Sequence, residues 1–278
     1  MTDRIAFQGE LGAYSHEACM SARPEAEPVP CASFEDAIEK VHSGDADYAM
    51  LPVENTTYGR VADNHRLIPD CGLFIVAEAF VRVRIALMAN DGVTLGDVRR
   101  VRAHPVLLPQ SAEFLKSHGI EPVSAPDSAG AAAELARSGA RDEGVLASAL
   151  AAKTYGLTVL ANDIEDHGHN TTRFVIMGRE PDYSRRGELG MMTTFVFEVR
   201  NIPAALYKAM GGFATNGVNM TKLESYMLDG TFTATQFFAE IEGHPDDPPV
   251  ARALEELAYF CSMLKVLGTY PADPRRHD

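Results

Sequence analysis

The chain has 278 residues, 46% of them hydrophobic, enough apolar material for two or three compact units. It carries 25 Lys and Arg against 39 Asp and Glu, a formal net charge of −14, which disfavours nucleic acids and anionic membranes as partners. The cysteines Cys19, Cys31, Cys71 and Cys261 show neither CxxC nor metal-ligand spacing and read as reduced thiols.

From Met1 the sequence passes almost at once into a strand-like RIAFQG. No charged-then-apolar leader precedes it, so a cytoplasmic location is expected. The apolar stretch 74–88 is interrupted by Glu78, Arg82 and Arg84 and does not read as a membrane span. Over the first 180 residues strand and helix patterns alternate. Strands are predicted at 4–7, 48–52, 74–88, 99–103, 122–125, 144–147, 158–161 and 174–177, and helices at 15–22, 34–41, 107–118, 128–138 and 149–155. Ser33 with Asp36 three residues on resembles a capping box and starts the second helix. Such alternation predicts an α/β fold with largely parallel sheets. Segment 74–88 reads as a crossing between two lobes and 174–177 as the return, which would hinge the lobes around a cleft.

Residues 179–191 are polar, contain Pro and Gly, and read as a linker. A second pattern follows: strand 193–200, helix 204–215, strands 218–228 and 233–242, helix 249–259 and strand 263–269. Leu228-Asp229-Gly230 is a hairpin signal, and the order βαββαβ is ferredoxin-like. The last residues, PADPRRHD, read as a disordered tail.

Several loops of the first region share one form: a strand ends, small or polar residues follow, and a helix begins. FQGELGAYSHEA supplies Gly9, Gly12 and Ser15. LPVENTTYG supplies Glu54, Asn55 and Thr56. AHPVLLPQSAEFL supplies His104 and Gln110, and APDSAGAAAEL supplies Asp127, Ser128 and Ala129. GHNTTRF supplies Asn170, Thr172 and Arg173. Helix N-termini present free N–H groups and a positive dipole end, so loops of this kind facing one another suit an anion despite the net charge. Neither GxGxxG nor a P-loop occurs. The sequons at Asn55, Asn170 and Asn219 have no secretory signal before them and call for another explanation than glycosylation.

FQGELGAYSHEA, PVENTTYG, DSAGAA and NTTRF, in this order and spacing, resemble the prephenate dehydratase family. IPAALYKAMGGFATNGVNMTKLESYM resembles the ACT regulatory domain of its bacterial members. The resemblance implies an α/β, two-lobed, periplasmic-binding-protein-like (type 2) catalytic domain at 1–180, a linker at 181–191, a ferredoxin-like βαββαβ ACT domain at 192–271 and a tail at 272–278. It implies decarboxylation and dehydration of prephenate to phenylpyruvate in L-phenylalanine biosynthesis, with no cofactor and no metal. The expected partners are prephenate, L-phenylalanine as effector, and further copies of the chain in a homo-oligomer.

By that resemblance Thr172 donates to the leaving hydroxyl. Glu54, if protonated, is a competing acid, and the sequence leaves the choice open. Asn55 and Gln110 are neutral donors suited to carboxylate or hydroxyl. Ser15, Ser128, Ala129 and Asn170 belong to loops that would bind substrate, whereas His104 reads either as a donor or as a loop residue. Strand alternation would point Thr172 and Arg173 to opposite faces, so Arg173 either binds substrate across an irregular backbone or supports the loop. In the second domain Asn201, Ala204, Ala205, Leu206, Asn219, Glu224 and Ser225 match the effector site. PAAL stands where the family has Pro-Gly-Ala-Leu, and ESYM where it has Glu-Ser-Arg-Pro. Arogenate as substrate, or a non-catalytic amino-acid sensor, stays open as an alternative.

Overall fold

The computed structural model describes residues 2–166, 168–188, 190–200, 202–227 and 234–277. The chain forms two compact units: Met1–Asn64 with Ala79–Phe174, and His65–Glu78 with Val175–Asp278.

In chain order the first region comprises β1 (Arg4–Gln8), α1 (Tyr14–Ala22), β2 (Glu27–Cys31), α2 (Phe34–Ser43), β3 (Tyr48–Asn55), β4 (Gly59–Arg60), α3 (Ala62–Leu67), β5 (Phe74–Arg82) and β6 (Ala86–Ala89). It continues through β7 (Arg100–Ala103), α4 (Ala112–His118), β8 (Glu121–Ser124), α5 (Ser128–Ser138), β9 (Glu143–Ala147), α6 (Ala149–Tyr155), β10 (Thr158–Ala161) and β11 (Thr171–Gly178). The first unit is a pair of α/β lobes. One lobe is built on strands in the order β11-β3-β1-β2, with β1 parallel to both β2 and β3. The other is built on β10-β6-β9-β7-β8. There β7 runs parallel to β8 and β9, while β6 is antiparallel to β9 and β10.

The second lobe's sheet is covered on both faces, as parallel crossovers require. Along β6, Leu87 and Ala89 join a core with Val101 and Leu115, while Ala86 and Met88 join the opposite core with Ala132 and Leu135. Period-2 alternation divides the two sets. Local signals fix the helix starts that face the cleft. Asp127 caps α5 by accepting from the amides of Ala129 (3.3 Å) and Gly130 (2.5 Å), and Ser33 caps α2 by accepting from Asp36 N–H at 3.0 Å.

Several expected boundaries differ. Segment 74–88 is two strands, broken at 83–85, where the Glu165 carboxylate takes the Ile85 N–H at 2.9 Å. Helix 107–118 is a 3₁₀ turn, Pro109–Ser111, followed by α4. The strand expected at 174–177 begins three residues earlier. Thr56 clamps its start: its Oγ1 takes the Thr171 N–H at 2.9 Å, and its own N–H reaches the Thr171 carbonyl at 3.0 Å.

The second unit carries β12 (Met191–Val199), α7 (Ala205–Thr215), β13 (Met220–Met227), β14 (Ala234–Glu242), α8 (Pro248–Phe260) and β15 (Cys261–Pro271). The order β13-β14-β12-β15, with each neighbouring pair antiparallel, is that of a ferredoxin-like ACT domain. Phe195 and Phe197 of β12, Phe237 and Ile241 of β14, Phe213 of α7 and Leu257 of α8 form one core between the helices and one face of the sheet. The predicted hairpin at 228–230 and the candidate Asn201 lie outside the described residues.

The tail departs from expectation. Pro274–His277 is a 3₁₀ turn. Arg276 forks onto Glu78 at 2.9 and 2.7 Å and reaches Glu240 at 3.3 Å, while Asp273 N–H donates to Glu78 at 3.0 Å. Two buried carboxylates need a cation, and the arginine near the chain end supplies it.

Candidate active site

A cavity of about 240 Å³ lies in the first unit, lined from both lobes. Five loops anticipated from sequence meet on its wall, contributing Gly9, Gly12 and Ser15; Asn55; His104 and Gln110; Ser128 and Ala129; and Asn170 and Thr172. Gln8, Tyr14 and Ser148 also line it and were not anticipated. Gln8 ends β1 directly before the loop glycine Gly9, and Ser148 looks like an ordinary helix cap.

Directed hydrogen bonds fix the amides of this wall. Asn55 Oδ1 accepts from the N–H groups of Thr57 and Tyr58, both at 2.9 Å. Its Nδ2 must therefore face the cavity, where it donates to Asn170 Oδ1 at 2.6 Å and Thr172 Oγ1 at 2.9 Å. Asn170 donates in turn to Gln110 Oε1, and Gln110 Nε2 donates to the Val106 carbonyl at 2.7 Å. Every amide in the series has one possible orientation. Because Thr172 Oγ1 accepts from Asn55, its own proton is left to point elsewhere.

Other wall groups are also committed. Ser128 Oγ accepts the His104 N–H at 2.9 Å, which leaves the serine proton to donate. The Ala129 amide is turned toward Asp127 and is not aimed at the cavity alone. His104 Nδ1 accepts the Val106 N–H at 3.3 Å, a loop-holding contact. Tyr14 donates to the Arg84 carbonyl at 2.8 Å. Its burial, aided by the charges of Glu17 and Glu165, pushes its phenol far up, so it remains a donor.

Two candidates lie off this wall. Glu54 stands opposite Arg60 in the β3–β4 register, one residue before Asn55. Adjacent residues of a strand point to opposite faces, so the strand that presents Asn55 turns Glu54 away. Arg173 is 5% exposed and is likewise the alternate neighbour of Thr172 on β11. Among the described residues lining the cavity there is neither arginine nor lysine. An anion here would be held by neutral donors and the first turns of α1 and α5. No group of three or more His, Cys, Asp or Glu able to hold a metal ion occurs among the described residues, and no helix there is long and apolar enough to cross a membrane.

In the ACT domain Ala204 and Ala205 open α7 and Leu206 packs against its core. The Asn219 carbonyl accepts from Glu242 N–H at 3.0 Å. Glu224 pairs with Lys222 at 3.1 Å, and Ser225 is exposed on β13. β14 stands between β13 and β12, so the Glu224-Ser225 pair and the loop after β12 sit on non-adjacent strands. Tyr226, at the position of the family's arginine, instead bonds His65 Nδ1 through its hydroxyl at 2.5 Å.

The prephenate dehydratase family pattern matches residues 5–182. The chain belongs to that family. It is an enzyme, a hydro-lyase of phenylalanine biosynthesis. A bifunctional N-acyl-homoserine lactone acylase/prephenate dehydratase of Komagataeibacter europaeus is 50% identical over 272 residues, 98% of this chain and 97% of that protein. The chloroplastic arogenate dehydratase/prephenate dehydratase 2 of Arabidopsis thaliana is 38% identical over 279 residues, 97% of this chain and 73% of that protein. The crystal structure of prephenate dehydratase from Arthrobacter aurescens in complex with L-Phe matches with a TM-score of 0.85 at 30% identity, covering 96% of this dehydratase and 89% of that chain.

Proposed function

We propose that this dehydratase converts prephenate to phenylpyruvate, carbon dioxide and water, with Thr172 at the departing oxygen. The electron pair of the ring C–CO₂⁻ bond enters the ring as carbon dioxide leaves. The ring expels the hydroxyl, which departs as hydroxide and takes a solvent proton. Aromatisation drives the step, so the protein has to orient the dianion and stabilise the leaving oxygen. The observation that carries this reading is the Asn55 amide on Thr172 Oγ1 at 2.9 Å. Asn55 fills a lone pair of the hydroxyl, and the Thr172 proton serves the leaving group. Glu54 faces away from this wall, which favours Thr172 as the donor. Ser15 and Ser128 bind carboxylate with the first turns of α1 and α5. Gln110 and Asn170 hold Asn55 in place, and Arg173 supports the loop from the far face of β11.

The regulatory reading extends to the ACT domain at 192–271, joined by the linker at 181–191. L-Phenylalanine binds through the 201–206 loop with Asn219, Glu224 and Ser225. Within one chain those segments sit on non-adjacent strands, which favours a site completed by a second copy in a cytoplasmic homo-oligomer. The 30% identical relative bound to L-Phe supports the effector. Calorimetry with L-phenylalanine on the full-length protein should give heat of binding, and no heat would remove the effector.

A second reading is favoured by one observation. Another cavity, of about 650 Å³, has Phe34, Tyr58 and Val61 on its wall and shares Asn55, His104, Val106 and Thr172 with the first. An acyl chain suits such an apolar annex, and the 50% identical relative bears the acylase name. In that reaction water adds across the amide of an N-acyl-homoserine lactone, giving a carboxylate and the lactone amine. Prephenate, arogenate and an N-acyl-homoserine lactone offered separately to purified protein distinguish the readings. Prephenate turnover to phenylpyruvate is expected to be fastest, and turnover of arogenate alone would overturn the substrate assignment.

A further inference from the structure

The cavity's Gly9-to-Ser15 wall is held at one peptide group. Gly12 has φ +92°, a left-handed conformation, and a Cβ placed there would lie 2.7 Å from the Ala151 Cα. Its carbonyl accepts from Ser148 Oγ at 2.7 Å, and the preceding Leu11 carbonyl accepts from Tyr155 OH at 2.7 Å. Both donors come from the second lobe. The Gly12 N–H is bound from the other side, by His16 Nδ1 at 2.9 Å.

His16 does not line the cavity. It is 7% exposed, and its ring stacks on Phe7 at 5.7 Å with only 6° between planes. A nitrogen that accepts an N–H carries no proton, so the ring is neutral with its proton on Nε2. Burial acts in the same direction, holding the imidazole below its ordinary value. Without this acceptor the Gly12 amide would be buried and unpaired, which is costly enough to turn the peptide. Turning it would move Ala13, Tyr14 and Ser15, the next wall residues along the chain.

We propose that His16 is a positioning residue for the dehydratase reaction: its neutral Nδ1 fixes the Gly12 peptide and thereby the first turn of α1 against the substrate. The role in catalysis rests on the dehydratase reading; the contact to Gly12 does not. It acts through an acceptor atom at one place, which the amide oxygen of asparagine reproduces and leucine cannot.

The test uses full-length wild type, His16→Asn and His16→Leu, each checked for cooperative thermal unfolding. Two quantities are read: kcat and KM for prephenate, and hydrogen exchange of the Gly12 amide. His16→Leu should lower kcat by about a hundredfold, the scale of a small misplacement at a reacting centre. It should also speed exchange at Gly12. His16→Asn should restore slow exchange and keep kcat within about threefold of wild type. Wild-type kcat in His16→Leu, or equal losses in both folded variants, would overturn the proposal. So would unchanged Gly12 exchange in His16→Leu. If the wild type fails to turn over prephenate, the dehydratase reading fails, and with it the catalytic part of the proposal. Gly12 exchange then still decides whether His16 positions the loop.

Discussion

Asn55 donates to Thr172 Oγ1 at 2.9 Å, with its own amide oxygen held by two backbone N–H groups. The relationship has a direction, and Asn55→Asp would reverse it. The new carboxylate could still accept from Thr57 and Tyr58 but could not donate to the hydroxyl. The Thr172 proton would then turn toward residue 55 and away from substrate. We expect kcat to fall by roughly a hundredfold with a smaller change in KM, the pattern for a contact made in the transition state. Steady-state kinetics with prephenate check this, and a near wild-type kcat would refute the polarity argument.

Sequence and structure agree where local chemistry decides the outcome. Helix α5 spans Ser128–Ser138 as expected, because its Asp127 side-chain cap and the left-handed Gly139 after it are both local features. Strand β2 gave no such signal: Pro28 and Pro30 argue against a strand, yet it lies at the sheet edge, where proline is tolerated. Residues 171–173 read as a loop because their side chains are polar, yet pairing with the distant Thr56 and a place between β5 and β3 make them a strand. The site loops were legible as a set. The direction of each hydrogen bond, the turning away of Glu54 and the bond from Tyr226 to His65 were not, because they depend on partners far along the chain.

Ala204 carries a left-handed backbone, φ 61° and ψ 18°, at the position where the family has glycine. A Cβ in that region costs about 1–2 kcal/mol. Glycine relieves this but loses more entropy on folding, so Ala204→Gly should stabilise the protein by a net of about 0.5–1 kcal/mol. Urea unfolding of both proteins measures the difference, and a destabilised variant would contradict the strain.

Arg276 joins Glu78 and Glu240, whose side chains are 0% and 2% exposed. Arg276→Leu would leave two buried carboxylates without this cation. The expected loss is about 3 kcal/mol in denaturant unfolding. A loss below about 1 kcal/mol, the scale of a surface ion pair, would mean that water reaches these groups when the tail is altered.

Burial holds His16 below its ordinary value of 6.5. The folded protein therefore takes up this proton less readily than the unfolded chain. The resulting stabilisation is fully present above pH 6.5 and is lost as the pH falls below it. Wild type should lose more melting temperature between neutral and mildly acid pH than His16→Asn does. Parallel curves would contradict a neutral, buried imidazole.

The central claim, that the Thr172 hydroxyl serves the departing oxygen, is tested most directly by prephenate turnover in Thr172→Ala and Thr172→Ser. The account predicts that the alanine variant loses roughly a hundredfold or more in kcat with KM little changed, and that the serine variant keeps most of its activity. A Thr172→Ala enzyme with near wild-type kcat would contradict it.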